Sequence, residues 1–318
     1  MNRSQPNETQ ARAVAEAALG AQAQSVSRFA TGLAHFVFEV TLAGGVPVVV
    51  RLSTDPDGLN GAVAWSRRLR PLGVPLPDLL FADLQATITP FPAIVLARLP
   101  GTDLGHVIDA LSVEQKQAIA AGVVAAQRCV HRLPHGAGYG YVAAEAGPFP
   151  HRAWVDVIAA SLRRSRARIT AAGIFDPALV TPLEHLLPKW ERYGAMIQPV
   201  AFLDDTTTKN VIIDAGRLSG IVDVDVVCYG DPLWTTALTR MALLSGRHAV
   251  DYVEHWCTLL ALTREQRSAL DFYTAVFCVD FMSEVGQMFN QATPLAPDRA
   301  RTDQLSELYV ELLRQARD

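Results

Sequence analysis

Before about residue 100, hydrophobic residues occur in short runs rich in β-branched side chains. Three runs stand out, at 36–40 (FVFEV), 46–52 (VPVVVRL) and 93–99 (AIVLARL). Runs of this length and composition are typical of β-strands, and Gly44-Gly45 between the first two predicts a tight turn. We therefore expect an antiparallel sheet in this part of the chain.

Two helices are predicted around these strands. Asn7 is a good capping residue, and the Ala-rich segment 8–19 that follows it favours a short leading helix. A second helix is predicted at 58–72, between the second and third strands, and it ends at the turn-forming sequence GVPLP at 73–77. The N-terminal part is thus predicted to be a sheet with one inserted helix.

The chain becomes mainly helical after the break Leu99-Pro100-Gly101. Two of the predicted helices begin with capping boxes, in which a hydroxyl side chain and a glutamine three residues later bond each other's backbone N–H groups. These pairs are Ser112 with Gln115 and Thr263 with Gln266. We expect two lobes, at residues 1–100 and 101–318.

One segment of the helical lobe departs from this pattern. Residues 199–225 contain three short apolar segments, VAFL, NVIID and LSGIVDVD, which predict strands, and Ala215-Gly216 predicts a turn between the last two. The predicted fold class is therefore α+β, with an antiparallel sheet lobe and a mainly helical lobe that carries a small β hairpin.

Composition and charge narrow the expected partners. Of the residues, 50% are hydrophobic and 19% are charged, which is the balance of a globular soluble protein. The net charge of -4 gives no basis for binding nucleic acid, and no uncharged apolar run approaches the roughly 18 residues of a membrane span. Because MNRSQPNETQ lacks a secretion signal and the four cysteines form no CxxC pair, we expect a cytoplasmic protein with reduced thiols.

Candidate chemistry is concentrated between residues 203 and 232. Asp205 and Asn210 lie five residues apart in an Asp- and Thr-rich segment, and Asp223 follows the predicted hairpin. Because a hairpin returns the chain toward its start, the three side chains are expected to converge. Two carboxylates and an amide oxygen suit magnesium and a general base, which phosphoryl transfer needs. The structural alternative is a turn stabilised by local hydrogen bonds.

The spacing D-x4-N-x12-D resembles the catalytic loop and metal aspartate of protein kinases. The sequence Gly230-Asp231-Pro232 resembles the GDP motif of aminoglycoside phosphotransferases and choline kinases. The resemblance implies a two-lobed protein-kinase-like fold and a small-molecule kinase that uses ATP or GTP with Mg²⁺ to phosphorylate a hydroxyl group. It implies Asp205 as base, Asn210 and Asp223 as magnesium ligands, Asp225 as an auxiliary to the metal, and Asp231 as a structural acid that ties the loop together.

In the first lobe the resemblance covers the nucleotide site. The segment FATGL resembles the phosphate-covering loop, with Gly32 as the glycine that lets the backbone approach phosphate. Arg51 falls where kinases place the cation that grips the α- and β-phosphates; a surface arginine on an edge strand is the alternative. The segment 94–101 (IVLARLPG) resembles the hinge strand, so the backbones of Ala97 and Leu99 are expected to contact the base.

Two departures from the family pattern bear on activity. Leu203 occupies the position of the histidine that usually supports the loop, so we expect a less rigid loop. The predicted helix at 58–72 contains no Asp or Glu, so Arg51 lacks the helix carboxylate that kinases pair with this cation. Asp55 or Asp57 is the candidate substitute, unless the nucleotide alone holds the arginine.

Further candidates are expected near the phosphate acceptor. Lys209 has no counterpart in the family pattern; either it neutralises the transferring phosphoryl group or it is a solvated turn residue. Asp280 and Glu284 lie one helical turn apart among aromatic residues, which predicts an acidic and aromatic wall for the substrate. Alternatively, these aromatic side chains belong to the core: Trp256, Phe277, Phe281 and Phe289.

Other functions fit parts of the sequence. The DxDxV sequence at 223–227 resembles the nucleophile motif of haloacid-dehalogenase-type phosphatases, in which Asp223 would attack phosphorus and Asp225 would act as acid and base. That fold needs further strands downstream, whereas 232–318 is predicted to be almost wholly helical. The second alternative is a pseudokinase, a nucleotide- or partner-binding module without turnover, motivated by Leu203 and by the helix without an acid. A purely structural helical scaffold would not need the acidic β segment.

Overall fold

A five-stranded antiparallel sheet forms the N-terminal part of the computed structural model, which describes residues 5–29, 35–287 and 298–317. Its strands are β1 (Ala23–Arg28), β2 (Phe36–Leu42), β3 (Pro47–Leu52), β4 (Leu79–Asp83) and β5 (Ala93–Ala97). Their order across the sheet is β1-β2-β3-β5-β4. The three strands predicted from sequence are present, and β1 and β4 add the two edges.

Alternating side chains of β2 bury one face of this sheet. Phe36, Phe38, Val40 and Leu42 point inward, as the period of two along a strand requires. They pack beneath the leading helix α1 (Glu8–Leu19), whose small buried side chains let it lie close to the sheet. The predicted leading helix is thus confirmed as the cover of the sheet.

Local sequence signals fix the ends of these elements. The Asn7 side chain accepts hydrogen bonds from the backbone N–H groups of Thr9 (2.9 Å) and Gln10 (3.3 Å), which closes the first turn of α1. Gly44 and Gly45 have φ angles of 95° and 80°, so the β2–β3 turn needs residues that adopt positive φ without strain. Both predictions were correct.

The inserted helix α2 (Asn60–Leu69) lies between β3 and β4 and contacts two cores. On one face Val63 packs with Ile94 of the sheet. On the other face Trp65 joins the large core of the helical part, and its indole N–H donates to the carbonyl of Val142 at 3.0 Å. The helix therefore connects the sheet to the rest of the molecule.

The remainder of the chain is mainly helical. Its helices are α3 (Leu104–Val107), α4 (Val113–Val130), α5 (Trp154–Ala172), α6 (Thr181–Met196), α7 (Leu233–Ser245), α8 (Asp251–Leu259), α9 (Arg264–Glu284) and α10 (Arg299–Arg317). Both predicted capping boxes are formed, at the starts of α4 and α9. The long helix α9 packs against α5, α7 and α10, so it forms the centre of the large core.

Two small sheets interrupt these helices. Their strands are β6 (Thr102–Asp103), β7 (Gly140–Val142), β8 (Val200–Leu203), β9 (Val211–Asp214), β10 (Arg217–Ile221) and β11 (Val227–Gly230). One sheet has the order β10-β9-β6 and the other β7-β11-β8. The three strands predicted within 199–225 are present, with β8 in one sheet and the hairpin β9–β10 in the other. Residues 204–210 therefore cross from one small sheet to the next.

The predicted arrangement of an antiparallel sheet lobe with one inserted helix and a mainly helical lobe with a small hairpin is confirmed. The division at residue 100 stays a prediction, since α2 contributes to the cores on both sides of it. After β11 the described residues form helices only, so they lack the downstream strands of the dehalogenase-type alternative. No helix within the described ranges has the length and hydropathy to cross a bilayer.

Candidate active site

A cavity of about 460 Å³ lies between the five-stranded sheet and the hairpin β9–β10. Apolar side chains line it from both directions: Val49 and Leu96 from the sheet, Ile212 and Val222 from the hairpin. Charged side chains line the same cavity, among them Arg51, Lys209 and Asp223. Apolar walls with a few converging polar groups are typical of a site for a small molecule. A slightly larger hollow, of about 490 Å³ between α2 and β4, contains none of the predicted site residues.

Asp205 lies in a turn that its own carboxylate stabilises. Its Oδ1 accepts hydrogen bonds from the backbone N–H of Thr207 at 3.0 Å and from the Thr207 hydroxyl at 2.6 Å. Its Oδ2 lies 3.3 Å from Nζ of Lys209. The local-turn interpretation therefore accounts for Oδ1 and leaves Oδ2 for chemistry.

Asn210 and Asp223 meet at the base of the hairpin. The carbonyl of Asn210 accepts a hydrogen bond of 2.9 Å from the N–H of Val222, which places Asp223 beside Asn210. The side-chain nitrogen of Asn210 donates to the carbonyl of Asp205 at 3.3 Å. Asn210 and Asp223 both line the cavity with Lys209, and Asp205 is connected to them through its carbonyl, which bonds Asn210, and through its carboxylate, which contacts Lys209.

The donor atoms at the base of the hairpin suit a hard cation. Because the amide nitrogen of Asn210 is a donor to Asp205, its amide oxygen is the atom left for a metal. Asp223 has a φ of 65°, in the left-handed region, and its side chain is 52% exposed. Magnesium binds one or two protein oxygens and takes its other ligands from phosphate and water, so this pair fits. No cluster of three or more His, Cys, Asp or Glu residues in the described part of the chain could hold a metal ion.

Arg51 is buried at the edge of the cavity and pairs with two aspartates. Its Nη2 lies 2.6 Å from Oδ2 of Asp225 and 2.9 Å from Oδ1 of Asp223. His35 also contacts Asp225, through Nε2 at 2.9 Å from the same Oδ2. Burial opposes a charge on Asp225, yet Arg51 and His35 outweigh it and hold the pKa of this carboxyl well below its usual range.

These contacts correct two expectations about Arg51. It is not a surface arginine, since only 5% of the residue is exposed. Asp55 and Asp57 do not substitute for the helix acid: Asp55 accepts from the backbone N–H of Asp57, and Asp57 accepts from the side chain of Asn60. The partners come instead from the segment after β10.

Lys209 contacts the predicted base and lines the cavity. Burial disfavours its charge, but the carboxylates of Asp205 and Asp223 outweigh burial and raise the pKa of Lys209 above its ordinary value. The ammonium of Lys209 thus contacts the predicted base and is influenced by the charge of the predicted metal ligand. Because Lys209 is also an exposed turn residue, both interpretations of it stay predictions.

The predicted hinge residues also line the cavity. Ala97 and Leu99 both contribute to its wall. The N–H of Ala97 donates to the carbonyl of Asp78 at 2.8 Å, and Nη1 of Arg98 donates to the carbonyl of Leu99 at 2.5 Å. Gly32, the predicted phosphate-loop glycine, lies outside the described residues.

Asp231 is buried in the large core. Its Oδ2 accepts hydrogen bonds from the hydroxyls of Tyr193 (2.8 Å, on α6) and Tyr273 (3.0 Å, on α9), and its Oδ1 accepts from the N–H of Leu233 (3.0 Å). Burial raises the pKa of Asp231 in spite of these donors. The residue is placed as a structural acid, but its contacts join α6, α7 and α9 rather than the loop at 203–210.

The predicted acceptor residues differ in their surroundings. Asp280 is bound by Nη2 of Arg164 and by the hydroxyl of Ser165, each at 3.0 Å, so it joins α9 to α5. Burial and the charge of Asp280 raise the pKa of Glu284, and Lys209 lies close enough to oppose this rise. The pKa of Glu284 therefore depends in part on charges of the loop at 203–210. Trp256 and Phe277 are buried, which supports the core interpretation of the aromatic residues, and Phe289 lies outside the described residues.

Residues 25–265 match the model of the phosphotransferase enzyme family, APH. The chain belongs to this family. The predicted family is thus confirmed, and with it the prediction that the chain is an enzyme of the small-molecule kinase type. None of the curated proteins matches the chain.

Solved structures of phosphotransferases share the fold along almost the whole chain. A thermostable mutant of aminoglycoside phosphotransferase APH(4)-Ia, in a ternary complex with ADP and hygromycin B, is 15% identical with a TM-score of 0.67, covering 96% of this chain and 99% of that one. A mutant of aminoglycoside 2'-phosphotransferase-IIIa with GDP is 14% identical with a TM-score of 0.68, covering 98% and 97%. Macrolide 2'-phosphotransferase MphH from Brachybacterium faecium is 17% identical with a TM-score of 0.59, covering 94% and 97%. The predicted two-lobed protein-kinase-like fold is confirmed.

In this phosphotransferase the segment where the catalytic loop is predicted is held without the histidine of the family pattern. The side chain of Gln127, on α4, accepts from the N–H of Leu203 at 2.9 Å and donates to the carbonyl of Leu203 at 3.0 Å. Beyond this point the hydroxyl of Thr206 bonds that of Thr235 on α7 at 3.1 Å. These contacts attach the start of the loop to α4 and its next part to α7. The expectation of a less rigid loop stays a prediction.

Three residues around this site were not predicted from the sequence. Gln127 is a polar residue on the apolar face of α4, and that position was the available signal for it. His35 directly precedes β2, and nothing in its surroundings predicted a contact with Asp225. Asp204 adjoins the predicted base, and burial together with repulsion from Asp205 raises the pKa of Asp204 well above its usual range.

Proposed function

We propose that this phosphotransferase moves the γ-phosphoryl group of ATP or GTP to a hydroxyl group of a small molecule, with Asp205 as the base. The observation that supports the proposal is the connection of Asp205 to two residues that line the cavity: its carbonyl bonds Asn210 and its carboxylate contacts Lys209. Asp223 lines the same cavity, and the bond from Val222 to Asn210 holds it beside Asn210. A hydroxyl-bearing small molecule and a nucleotide are the proposed partners, in the cytoplasm.

The distribution of apolar and charged side chains in the cavity favours one orientation of the nucleotide. Its base lies between the apolar side chains of the sheet and those of the hairpin, beside the backbones of Ala97 and Leu99. Its phosphates then extend toward Arg51 and Asp223, where the charged side chains are. An arginine binds phosphate through its planar fork, and glycine at position 32 suits a loop that covers phosphate. ADP and GDP are bound in two of the structures with this fold.

Asn210 and Asp223 are the proposed magnesium ligands. One amide oxygen and one carboxylate leave room for phosphate oxygens and water, as this cation requires. When bound, magnesium neutralises the charge that develops on the phosphates during transfer. Asp225 is less exposed than Asp223 and contacts Arg51.

The chemical step uses Oδ2 of Asp205, the oxygen that takes no part in the hydrogen bonds of the turn and that Lys209 contacts. The acceptor hydroxyl gives its proton to Oδ2 as its oxygen forms a bond to the γ-phosphorus. The bond from that phosphorus to the bridging oxygen of the β-phosphate breaks, and a nucleoside diphosphate leaves. Lys209 holds Oδ2 in place and offers a positive charge to the group in transfer. Glu284 and Asp280 are the proposed acidic residues on the acceptor side, with Glu284 nearer the loop.

The test is magnesium-dependent consumption of ATP and GTP across a panel of hydroxylated amines, sugars, macrolides and amino alcohols. Asp205→Asn should lower turnover about 100-fold to 10,000-fold, the usual contribution of a positioned general base. The matched control is Asp214→Asn, which makes the same change at an exposed aspartate at the end of β9. Chelation of divalent cations with EDTA should abolish turnover.

Two outcomes would contradict the proposal. Full turnover by Asp205→Asn would show that Asp205 is not the base. Nucleotide binding without turnover of any acceptor would favour the pseudokinase alternative. That alternative was motivated by Leu203 in place of a histidine and by the helix without an acidic residue. In the structure Gln127 bonds Leu203 at the start of the loop, and Asp225 pairs with Arg51.

A further inference from the structure

Arg51 lies in the phosphate-binding position without an acidic residue on the neighbouring helix. Residues 58–72, which include α2, contain neither Asp nor Glu. The segment 30–34, which lies outside the described residues, has the sequence ATGLA and also lacks a carboxylate. A buried guanidinium needs a partner, because an unpaired charge in the interior is strongly unfavourable. Its partner must therefore come from another part of the chain.

Two carboxylates reach the same nitrogen of Arg51, and they differ in exposure. The side chain of Asp223 is 52% exposed and lines the cavity. The side chain of Asp225 is 24% exposed, and it is not among the described residues that line the cavity. Asp223 thus faces the nucleotide site, whereas Asp225 lies behind the guanidinium.

Asp225 is also held from a second direction. His35, which is 8% exposed, contacts Oδ2 of Asp225 at 2.9 Å, the same oxygen that meets Arg51 at 2.6 Å. One carboxylate oxygen is therefore shared by the arginine and the histidine. This arrangement fixes the carboxylate independently of any ligand in the cavity.

The helix that lacks an acid reaches Asp225 through its backbone. A Cβ atom at Gly61 would lie 1.9 Å from the carbonyl oxygen of Asp225, so only glycine permits this approach. The first turn of α2 and the segment after β10 are thus in direct contact. Asp225 occupies the space next to α2 from which a helix carboxylate would reach the arginine.

We propose that Asp225 is a positioning residue that holds Arg51 for the nucleotide phosphates, in place of an acidic residue on α2. The inference rests on the proposed function, since it assigns Arg51 to those phosphates. It differs from the expectation that Asp225 assists the metal. Under the proposal Asp223 serves the cation and Asp225 serves the arginine.

The experiment measures ATP binding by isothermal titration calorimetry, first in EDTA and then with Mg²⁺. In EDTA, Asp225→Asn should bind ATP about tenfold to 100-fold more weakly than the native chain, because a guanidinium out of position loses a charge-assisted contact with phosphate. Arg51→Met should show a similar loss, and the double variant should bind no more weakly than Arg51→Met alone. Asp223→Asn should bind ATP in EDTA at least as well as the native chain but lose the gain that Mg²⁺ gives.

The direction of the Asp225→Asn effect separates the explanations. Removal of a negative charge near phosphates would by itself tighten ATP binding, so weaker binding requires that the arginine has moved. Normal or tighter binding in EDTA, with a raised Mg²⁺ requirement, would overturn the proposal and make Asp225 a metal ligand. Failure of the native chain to bind ATP would overturn the proposed function, which is a different result.

Gly61→Ala provides a second variant that changes no charge. Its methyl group should displace Asp225 and weaken ATP binding in EDTA in the same direction as Asp225→Asn. The control is Gly122→Ala on α4, where the new methyl group would meet the flexible end of Leu218 rather than backbone. Normal binding by both Gly61→Ala and Asp225→Asn would end the proposal even if either variant is less stable.

Discussion

The side chain of Gln127 bonds both backbone groups of Leu203, 76 residues away in sequence. Gln127 is 5% exposed and Leu203 is 1% exposed, so water cannot replace either bond. A single amide thereby fixes the residue two positions before the proposed base. The family pattern has a histidine at this position to support the loop, whereas here the support comes from Gln127 on α4.

Gln127→Ala should lower both stability and turnover. Two buried backbone groups would lose their partners at about 1–3 kcal/mol each, so the free energy of unfolding should fall by roughly 2–6 kcal/mol. Urea denaturation measures this loss, and kcat measures the effect on Asp205. Gln85→Ala, a truncation at an exposed glutamine, is the control. An unchanged unfolding midpoint would show that other contacts hold the loop.

Leu203→His should not improve activity, although it restores the usual family residue. Leu203 belongs to the large core, and an imidazole there would bury a polar group without a partner. The expected loss of stability is about 1–3 kcal/mol, and Leu203→Met, which stays apolar, should lose less. Higher kcat in Leu203→His would mean that Gln127 is an incomplete substitute for the histidine.

Lys209→Met should slow phosphoryl transfer by roughly tenfold to 1,000-fold if the ammonium neutralises the transferring group. The pKa of Lys209 is raised, so its charge is fully present below the ordinary lysine value of about 10.4 and is lost only above the raised value. The ratio of native to variant kcat should therefore stay constant from about pH 6 to pH 9. Lys189→Met, at an exposed lysine on α6, is the control. Faster transfer in Lys209→Met would mean that the ion pair restrains Asp205.

Tyr193→Phe and Tyr273→Phe should each destabilise the fold with little effect on nucleotide binding. Each removes a hydrogen bond to the buried carboxylate of Asp231, which is worth about 1.5–3 kcal/mol. Because both hydroxyls bond the same oxygen, their losses should not add in the double variant. Denaturation of the four proteins measures this coupling. A large change in the Kd for ATP would instead connect Asp231 to the catalytic loop.

Glu284→Gln and Asp280→Asn should affect different properties. Asp280 bonds Arg164 and Ser165, so its variant should mainly lower stability, by about 1–3 kcal/mol. The charge of Lys209 acts on the pKa of Glu284, so under the proposed function the Glu284 variant should change KM for the acceptor found in the panel and leave KM for the nucleotide unchanged. Equal effects on both KM values would place Glu284 outside the acceptor site.

Local sequence signals were enough to predict most of the architecture. Runs of β-branched residues predicted β2, β3 and β5, and reciprocal capping pairs predicted the starts of α4 and α9. The strand β1 was missed because its sequence AQSVSR is polar and none of its residues is fully buried, as is common at a sheet edge. The strands β6, β7 and β11 are two to four residues long, and their pairing partners rather than their composition determine them.

The candidate site was predictable where its residues are close in sequence. Asp205, Asn210 and Asp223 lie in one loop and the hairpin after it, so their spacing alone predicted a shared site. In the structure Asn210 and Asp223 line one cavity and Asn210 bonds the carbonyl of Asp205. The contacts of Arg51 with Asp225 and of Gln127 with Leu203 span 174 and 76 residues, and no local pattern encodes them. Asp55 and Asp57 were the predicted partners of Arg51 because they are near it in sequence, but both bond elsewhere.

The double contact of α2 limits how the molecule can be divided. Trp65 is 1% exposed and Leu69 is 0% exposed only because the helical part covers them, although both precede residue 100. A fragment cut at that residue would present an indole and a leucine to water and would be prone to self-association. Any opening of the cleft must likewise do one of two things. Either α2 moves with the helices and Val63 slides past Ile94, or Trp65 is withdrawn from the large core.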